Sequence, residues 1–416
     1  MKILLVNKYF YKKGGCETYY LALGEILKAE GHEVIWFSMK HPKNEFCAQD
    51  QYFVDYVDFN EPMNFFKKAK TALSIIYSRK NKRKFEKLLE MERPDIVHIN
   101  NIHKQITLSF LDSCLEHNLP VVATSHDWIY ICPNYQKLSD GVICEKCHYG
   151  DIWNCFKSQC VQGSRIRSML AALESWFLKR TRAYEKINLF IAPSICMVEK
   201  MRDAKFTNSD IIYMRNFLPE LNLHLREPSS SPYFLYMGRI SREKGIRTLI
   251  KAYGIANINA DLYILGDGPI MEEIKAEVSG SNMEGSVHIP GSKYGDELVD
   301  YVAGSLAVVV PSEWLENCPY SVMEALAMGK PVIGSRIGGI PELIEDGVTG
   351  YCYEAGDAED LARKLEALSR LPPDEYKKMS RAAAEFAKKN FDGKIYSAEL
   401  LHKYEMLISQ KGLPKW

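Results

Sequence analysis

The chain has 416 residues, enough for two large domains or three small ones. Hydrophobic residues make up 46% and charged residues 25%, an ordinary globular balance, and 53 Lys+Arg against 53 Asp+Glu exclude the strongly basic profile of a dedicated nucleic-acid binder. No stretch approaches the roughly 18 consecutive apolar residues of a membrane-spanning helix. The opening MKILLVNKYF has an apolar run too short for a secretory leader and no small-residue cleavage site, so it reads as the first strand of a cytoplasmic protein. In that compartment the eleven cysteines are expected as reduced thiols or metal ligands, not as a disulfide framework.

Short apolar runs then alternate with helical patterns, the signature of βαβ units and parallel sheets. Strands are predicted at Ile3–Val6, Glu33–Phe37, Ile96–Ile99, Val121–Ser125, Leu189–Ala192 and Ile211–Tyr213, with a first helix from Glu17 to Glu30 stopped by Gly31. The pattern dissolves in NFLPELNLHLREPSSSP, a Pro- and Ser-rich linker over 216–232 between a first domain, 1–215, and a second, 233–392. The second half restarts with strands at Tyr233–Gly238, Leu262–Leu265, Val287–Ile289, Ala307–Val310, Pro331–Gly334 and Gly350–Tyr353. Helices are expected at about Ile246–Tyr253, Gly268–Val278, Gly295–Ala303, Tyr320–Met328 and Ala358–Leu368. A last helix within 393–416 is expected to pack back on the first domain. The fold class is therefore α/β, two tandem Rossmann-like domains facing an interdomain cleft, with ligands expected beyond the carboxyl ends of the strands.

The segment PSEWLENCPYSVMEALAMGKPVIGS, 311–335, reads strand, loop, helix, strand. With Pro319 in the first helical turn, Asn317 and Cys318 would lie at the helix start, where free N–H groups and the dipole favour a phosphate. Glu324 would sit roughly 7.5 Å further along the axis, near enough for a ribose diol, and Glu316 at the strand's edge could meet sugar hydroxyls or stabilise charge at an anomeric carbon. The alternative is two surface carboxylates, one of them favouring the helix dipole. GRISREKG, 238–245, follows the first strand of the same domain, and Arg239 and Lys244 offer a planar fork and a point charge for a diphosphate.

These motifs resemble those of retaining, nucleotide-sugar-dependent glycosyltransferases of family 4, with the GT-B fold. Glu316 and Glu324 match the family's E-x7-E pattern, and Gly238, Arg239, Lys244 and Gly245 match its G-R-x4-K-G. The resemblance implies that Arg239 and Lys244 hold the donor diphosphate, that Glu324 holds the ribose, and that Glu316 contacts the transferred sugar with help from the backbone at Asn317–Tyr320. It places the loop around Gly291 near the nucleobase, and it implies no catalytic cofactor. Here Asn317-Cys318-Pro319 stands where many relatives carry a Gly-Phe-Gly type turn.

In the first half, Gly14-Gly15 ends a strand-to-helix turn that would admit an anionic group of the donor, or is an ordinary tight turn. By the resemblance His126, beyond a strand in ATSHD, faces the donor sugar and acts with Glu316, Lys244 and Arg239, while Asp127 touches the acceptor. The expected partners are a nucleoside-diphosphate sugar and a glycan or lipid-linked acceptor, and the expected setting is cell-surface polysaccharide or glycolipid assembly. Twin Rossmann domains also fit a nucleotide-sugar epimerase or a non-catalytic nucleotide-sugar-binding regulator.

Two segments fall outside this scheme. Cys132, Cys144, Cys147, Cys155 and Cys160 form a C-x11-C-x2-C-x7-C-x4-C series, and Cys132, Cys144, Cys147 and Cys160 suit a structural zinc, with buried reduced thiols as the alternative. Residues 64–87 interleave lysines and arginines with apolar side chains, which suits the anionic face of a membrane or a solvated helix.

Overall fold

The computed structural model describes residues 1–56, 74–219, 226–412 and 414. The chain divides into two units, one of Met1–Asp140, Cys144–Pro219 and Gly393–Trp416, the other of Gly141–Ile143 and Glu220–Asp392. Each main sheet is parallel and six-stranded, so its strands are covered on both faces and read as unbroken apolar runs. Ile3-Leu4-Leu5-Val6 and Ala307-Val308-Val309-Val310 are buried throughout for that reason.

In the first unit the strands run, edge to edge, Glu33–Phe37, Lys2–Val6, Ile96–Ile99, Val121–Thr124, Leu189–Ala192 and Asp210–Tyr213. The final helix, Gly393–Lys411, completes this unit. Tyr396 OH lies 2.5 Å from Tyr19 OH, Tyr404 OH meets His98 Nδ1, and Asn118 Nδ2 donates to the Lys411 carbonyl at 2.8 Å. In the second unit the order is Val287–Gly291, Asp261–Leu265, Tyr233–Met237, Ala307–Val310, Val332–Ser335 and Gly350–Tyr353. Its core joins Phe234, Leu262, Ile264, Val309 and Ile333 of the sheet to Leu249, Leu361 and Leu365 of the covering helices.

Both sheets have the same switch in winding. Lys2–Val6 pairs with Glu33–Phe37 on one side and Ile96–Ile99 on the other, and Tyr233–Met237 is flanked likewise by Asp261–Leu265 and Ala307–Val310. Loops leaving such neighbouring strands diverge and open a crevice at their carboxyl ends. The basic loop after Met237 and the acidic loop after Val310 flank that point in the second unit.

One strand and one helix of the second unit show how the structure departs from the sequence reading. The strand at Val287 runs on to Gly291 past a register shift, and a helix over Pro373–Asn390 was not foreseen. Part of the basic segment, including Phe65, Phe66, Lys67, Lys68 and Lys70, lies outside the described residues. Its described part enters the helix Arg79–Glu92, where Lys80 and Lys84 reach Asp55 at 2.5 and 3.0 Å and Lys82 reaches Glu116 at 3.0 Å. Lys80 and then Lys84 hold the Asp55 carboxyl down at about 2. Among the described residues no helix is long and apolar enough to cross a membrane.

Candidate active site

In the second unit the chain leaving Met237 turns through Arg242–Lys244, and Gly245 joins this turn to the helix Ile246–Ile255. Gly245 has φ +68°, and a Cβ built there would lie 1.8 Å from the carbonyl oxygen of Pro311. Only glycine allows this crossing, which fixes the basic loop against the start of the acidic one.

Lys244 Nζ consequently lies 2.5 Å from Glu316 Oε1 and 5.3 Å from the centre of the Trp314 ring. Ser312 Oγ donates to the same carboxylate oxygen at 2.9 Å, and the Ser312 carbonyl is itself held by Ser335 Oγ at 2.7 Å. Burial alone would raise the Glu316 carboxyl, but the Lys244 ammonium, aided by Trp314 and Ser312, outweighs it and holds the group below the usual carboxylate range. Glu316 is therefore an anion at neutral pH. An ammonium has three donors, so Lys244 can serve Glu316 and a second anion together. Gly338, at φ +57°, packs so closely that a Cβ there would sit 2.3 Å from the Glu316 carbonyl oxygen, and the neighbouring Gly339 N–H donates to that oxygen at 2.7 Å.

The helix after Glu316 spans Tyr320–Ala327, with Pro319 as its N-cap and not inside its first turn. Asn317 and Cys318 thus form the approach to the helix, one position earlier than the sequence suggests. Cys318 is buried with its thiol 3.5 Å from Met323 Sδ, so its side chain belongs to the core. Glu324 stands about 6 Å along the axis from Tyr320. Burial pushes its carboxyl up to about 7, and no cation among the described residues offsets this. Arg239 is exposed, its carbonyl bonded by Tyr236 OH at 2.7 Å. Gly291 closes its strand, with its carbonyl accepting the Gly266 N–H at 3.1 Å.

In the first unit Gly14 caps the helix Gly15–Ala29 in extended backbone that any residue adopts, and a Cβ there would meet Glu17 Oε2 at an ordinary 3.7 Å. The two glycines answer no strain. Glu17 is buried at the same helix start, where burial raises its carboxyl against the pull of Asn7 and Lys8, so an incoming anion would share this position with it. His126 Nε2 lies 2.9 Å from Asn100 Oδ1 and its ring meets Tyr19 edge-on at 4.8 Å. Burial lowers His126 to about 3, so it is neutral across the physiological range. Asp127 Oδ1 accepts the Ile129 N–H at 3.0 Å; burial raises its carboxyl, countered by Lys8 and Lys104. Glu174, pushed up to about 7 by burial, is countered by the same Lys104.

Two family models match the chain, Glycosyltransferase Family 4 over residues 13–219 and Glycosyl transferases group 1 over 221–386. This chain belongs to the family 4 glycosyltransferases of the GT-B fold. Among its relatives, the amylovoran biosynthesis glycosyltransferase AmsK of Erwinia amylovora is 32% identical over 160 residues, 36% of this chain and 39% of that one. The N-acetyl-alpha-D-glucosaminyl L-malate synthase of Bacillus anthracis is 26% identical over 235 residues, 54% of this chain and 60% of that one. The chain thus spans less than two thirds of the length of these curated relatives. Among solved structures, Anabaena HepE in complex with UDP and glucose superposes with a TM-score of 0.66 at 17% identity, covering 98% of this chain and 100% of that one.

Within this family 4 glycosyltransferase, Lys244 and Glu316 are in direct contact, and Glu324 lies on the helix that follows Glu316. The supporting Ser312 and Trp314 were not singled out from sequence, although both lie inside the PSEWLE segment. Glu17, Lys104 and Glu174 gave no sequence signal at all, because nothing in their spacing marks them as buried. The five thiols Cys132, Cys144, Cys147, Cys155 and Cys160 are free and line one small cavity. Among the described residues no group of three or more His, Cys, Asp or Glu side chains is already set to hold a metal ion.

Proposed function

We propose that this glycosyltransferase moves a hexose-type sugar, with retention of anomeric configuration, from a nucleoside diphosphate to a hydroxyl of a glycan or lipid-linked acceptor in cell-surface polysaccharide or glycolipid assembly. The observation that carries this reading is the Lys244–Glu316 contact at the switch point of the second sheet, an ammonium with spare donors beside a buried carboxylate. The relatives' names point the same way: AmsK acts in amylovoran biosynthesis, and HepE was captured with UDP and glucose.

In this mechanism Lys244 and Arg239 neutralise the diphosphate as it departs, and the N–H groups opening the helix at Tyr320 add to that field. Glu316 faces the transferred sugar, where its negative charge favours the cationic character that develops at the anomeric carbon. The departing phosphate oxygen takes the acceptor proton on the same face, so no protein base is required. His126, neutral and steadied by Asn100, is suited to hydrogen-bond a sugar hydroxyl. A panel of nucleotide sugars offered with polyprenyl-linked and free glycan acceptors tests the reading. Transfer with an α-product from an α-donor supports it; conversion of the donor without any acceptor would reveal an epimerase instead.

The raised Glu324 carboxyl gives a pH signature. If the carboxylate accepts the ribose hydroxyls, UDP affinity should rise between about pH 6 and pH 8, through the pKa of about 7, and lose that dependence in Glu324→Gln. Stability runs the opposite way. A carboxyl raised on folding stabilises the protein below its unfolded pKa, and this is lost as pH rises through about 7. Differential scanning calorimetry should therefore show Glu324→Gln melting above the parent near pH 8 and level with it near pH 5.

For lipid-linked acceptors, residues 64–87 are the proposed contact with an anionic surface. Reversing Arg79 and Arg83 to Glu should weaken pelleting with phosphatidylglycerol vesicles at least several-fold; unchanged pelleting would remove the segment from the account.

A further inference from the structure

The segment between Thr124 and Arg165 contains only two two-residue strands and one five-residue helix, Trp153–Lys157. A stretch that long with so little regular structure needs some other source of order. Its first part is anchored by the buried Trp128, Tyr130, Ile131 and Leu138, but around the later thiols the apolar cluster is small: Cys147, Cys155, Val161 and Ala171, with Cys160 against them. Three of those five are cysteines, and together with Cys132 and Cys144 they surround one cavity of about 10 Å³, room for one atom-sized guest.

The charges around the cavity are equally unusual. Lys137 lines it with a side chain 1% exposed, its Nζ 3.0 Å from Glu145 Oε2 and 3.2 Å from His148 Nδ1. Lys146 lines the cavity as well. Lys137 is thus paired with Glu145 while its buried ammonium also lines a cavity walled by five sulfurs. Cys132 opens the turn that carries Lys137 to the cavity, and the Cys144 N–H donates to the Lys137 carbonyl at 2.7 Å. Tyr135 and Lys137 take left-handed conformations in that turn, closed by the Tyr135 N–H on the Cys132 carbonyl at 2.8 Å.

We propose that the thiolates of Cys132, Cys144, Cys147 and Cys160 bind one zinc ion that orders this segment. Four thiolates on Zn²⁺ carry a net charge of −2, which Lys137 and Lys146 offset, and each thiol releases one proton on binding. Soft sulfur ligands in a closed tetrahedral set suit zinc, and a cavity of about 10 Å³ has room for one ion. Cys155 is the fifth thiol. It sits on the short helix, 1% exposed and packed with Val161 and Ala171, and serves as a small apolar side chain beside its neighbour. Its Sγ is 3.2 Å from Cys160 Sγ, whereas two sulfurs on one tetrahedral zinc, with bonds of about 2.3 Å, lie about 3.8 Å apart, so closing the site draws Cys160 away from Cys155. The proposal rests on the residues of this segment alone and stands whether or not the proposed reaction does.

The test uses the whole chain, purified under reducing conditions and analysed by inductively coupled plasma mass spectrometry. About one zinc per chain is expected, lost to a strong chelator with a fall in melting temperature and regained on adding zinc. Cys132→Ser, Cys144→Ser, Cys147→Ser and Cys160→Ser should each fall below about 0.2 zinc per chain, while Cys155→Ser keeps about one. Should the serine variants fail to fold, cobalt exchanged into the parent chain decides, because a tetrathiolate site gives intense visible bands and sulfur-to-metal charge transfer. Parent protein with less than about 0.2 zinc and no cobalt–thiolate bands overturns the proposal. So does a metal-free chain carrying a Cys155–Cys160 disulfide, or an assay finding iron and sulfide. Loss of zinc from Cys155→Ser with retention in Cys160→Ser overturns the ligand set.

Discussion

Replacing Lys244 with alanine is expected to lower turnover by on the order of 10²–10³-fold, the effect of removing one charged donor from a developing anion. The same change leaves Glu316 buried without its cation, so stability should fall as well; a buried charge stripped of its partner costs about 3–5 kcal/mol. The two effects separate in a double variant. In Lys244→Ala with Glu316→Gln the orphaned charge is gone, and melting should return most of the way to the parent while turnover stays low. The pH dependence follows from the lowered Glu316 carboxyl. Its pairing stabilises the fold above the ordinary carboxylate range and is lost as the solution is acidified below it, so the difference in melting between parent and Lys244→Ala should shrink in acid. Near-parental rates for Lys244→Ala, measured with a donor that the parent turns over, would remove the lysine from the mechanism.

The second large effect is expected at Gly245. Alanine there must hold φ +68° and place its Cβ where the Pro311 carbonyl oxygen already stands, 1.8 Å away. Backbone cannot yield as a side-chain tip can, so the basic loop and the strand end must part. A loss of about 3 kcal/mol, or on the order of 10 °C in the melting of the second unit, is the expected outcome. Activity should fall with it even at temperatures where the variant stays folded, because Lys244 is the preceding residue. Circular dichroism melting shifted by less than about 2 °C would show that the crossing relaxes cheaply.

The architecture was legible because parallel strands buried on both faces leave compact apolar runs such as ILLV and AVVV, and because turns after them carry glycine and charge. Lys244, Glu316 and Glu324 could be picked out for a related reason: with Arg239 they fall at fixed offsets from strand ends. The Pro373–Asn390 helix carried signals that went unread, a proline at its first position, Asp374 and Glu375 in its first turn and Lys388 and Lys389 in its last. What spacing cannot reveal is which polar groups end up desolvated together. Ser312 on Glu316 depends on the loop's path after Val310. Lys104 opposite Glu174 depends on segments 70 residues apart along the chain. Cys318 shows the converse, a residue at a motif position whose side chain turns into the core.

The connectivity of the first unit has a bearing on biosynthesis. Residues 393–416 return to it only after all of Glu220–Asp392 has been made. On the ribosome, the second sheet can therefore be finished while the first still lacks a piece. Until Tyr396 and Tyr404 arrive, the hydroxyl of Tyr19 and the imidazole of His98 wait without those partners in an apolar interior. A polypeptide halted before Gly393 would carry a complete second sheet and a first unit without its last helix.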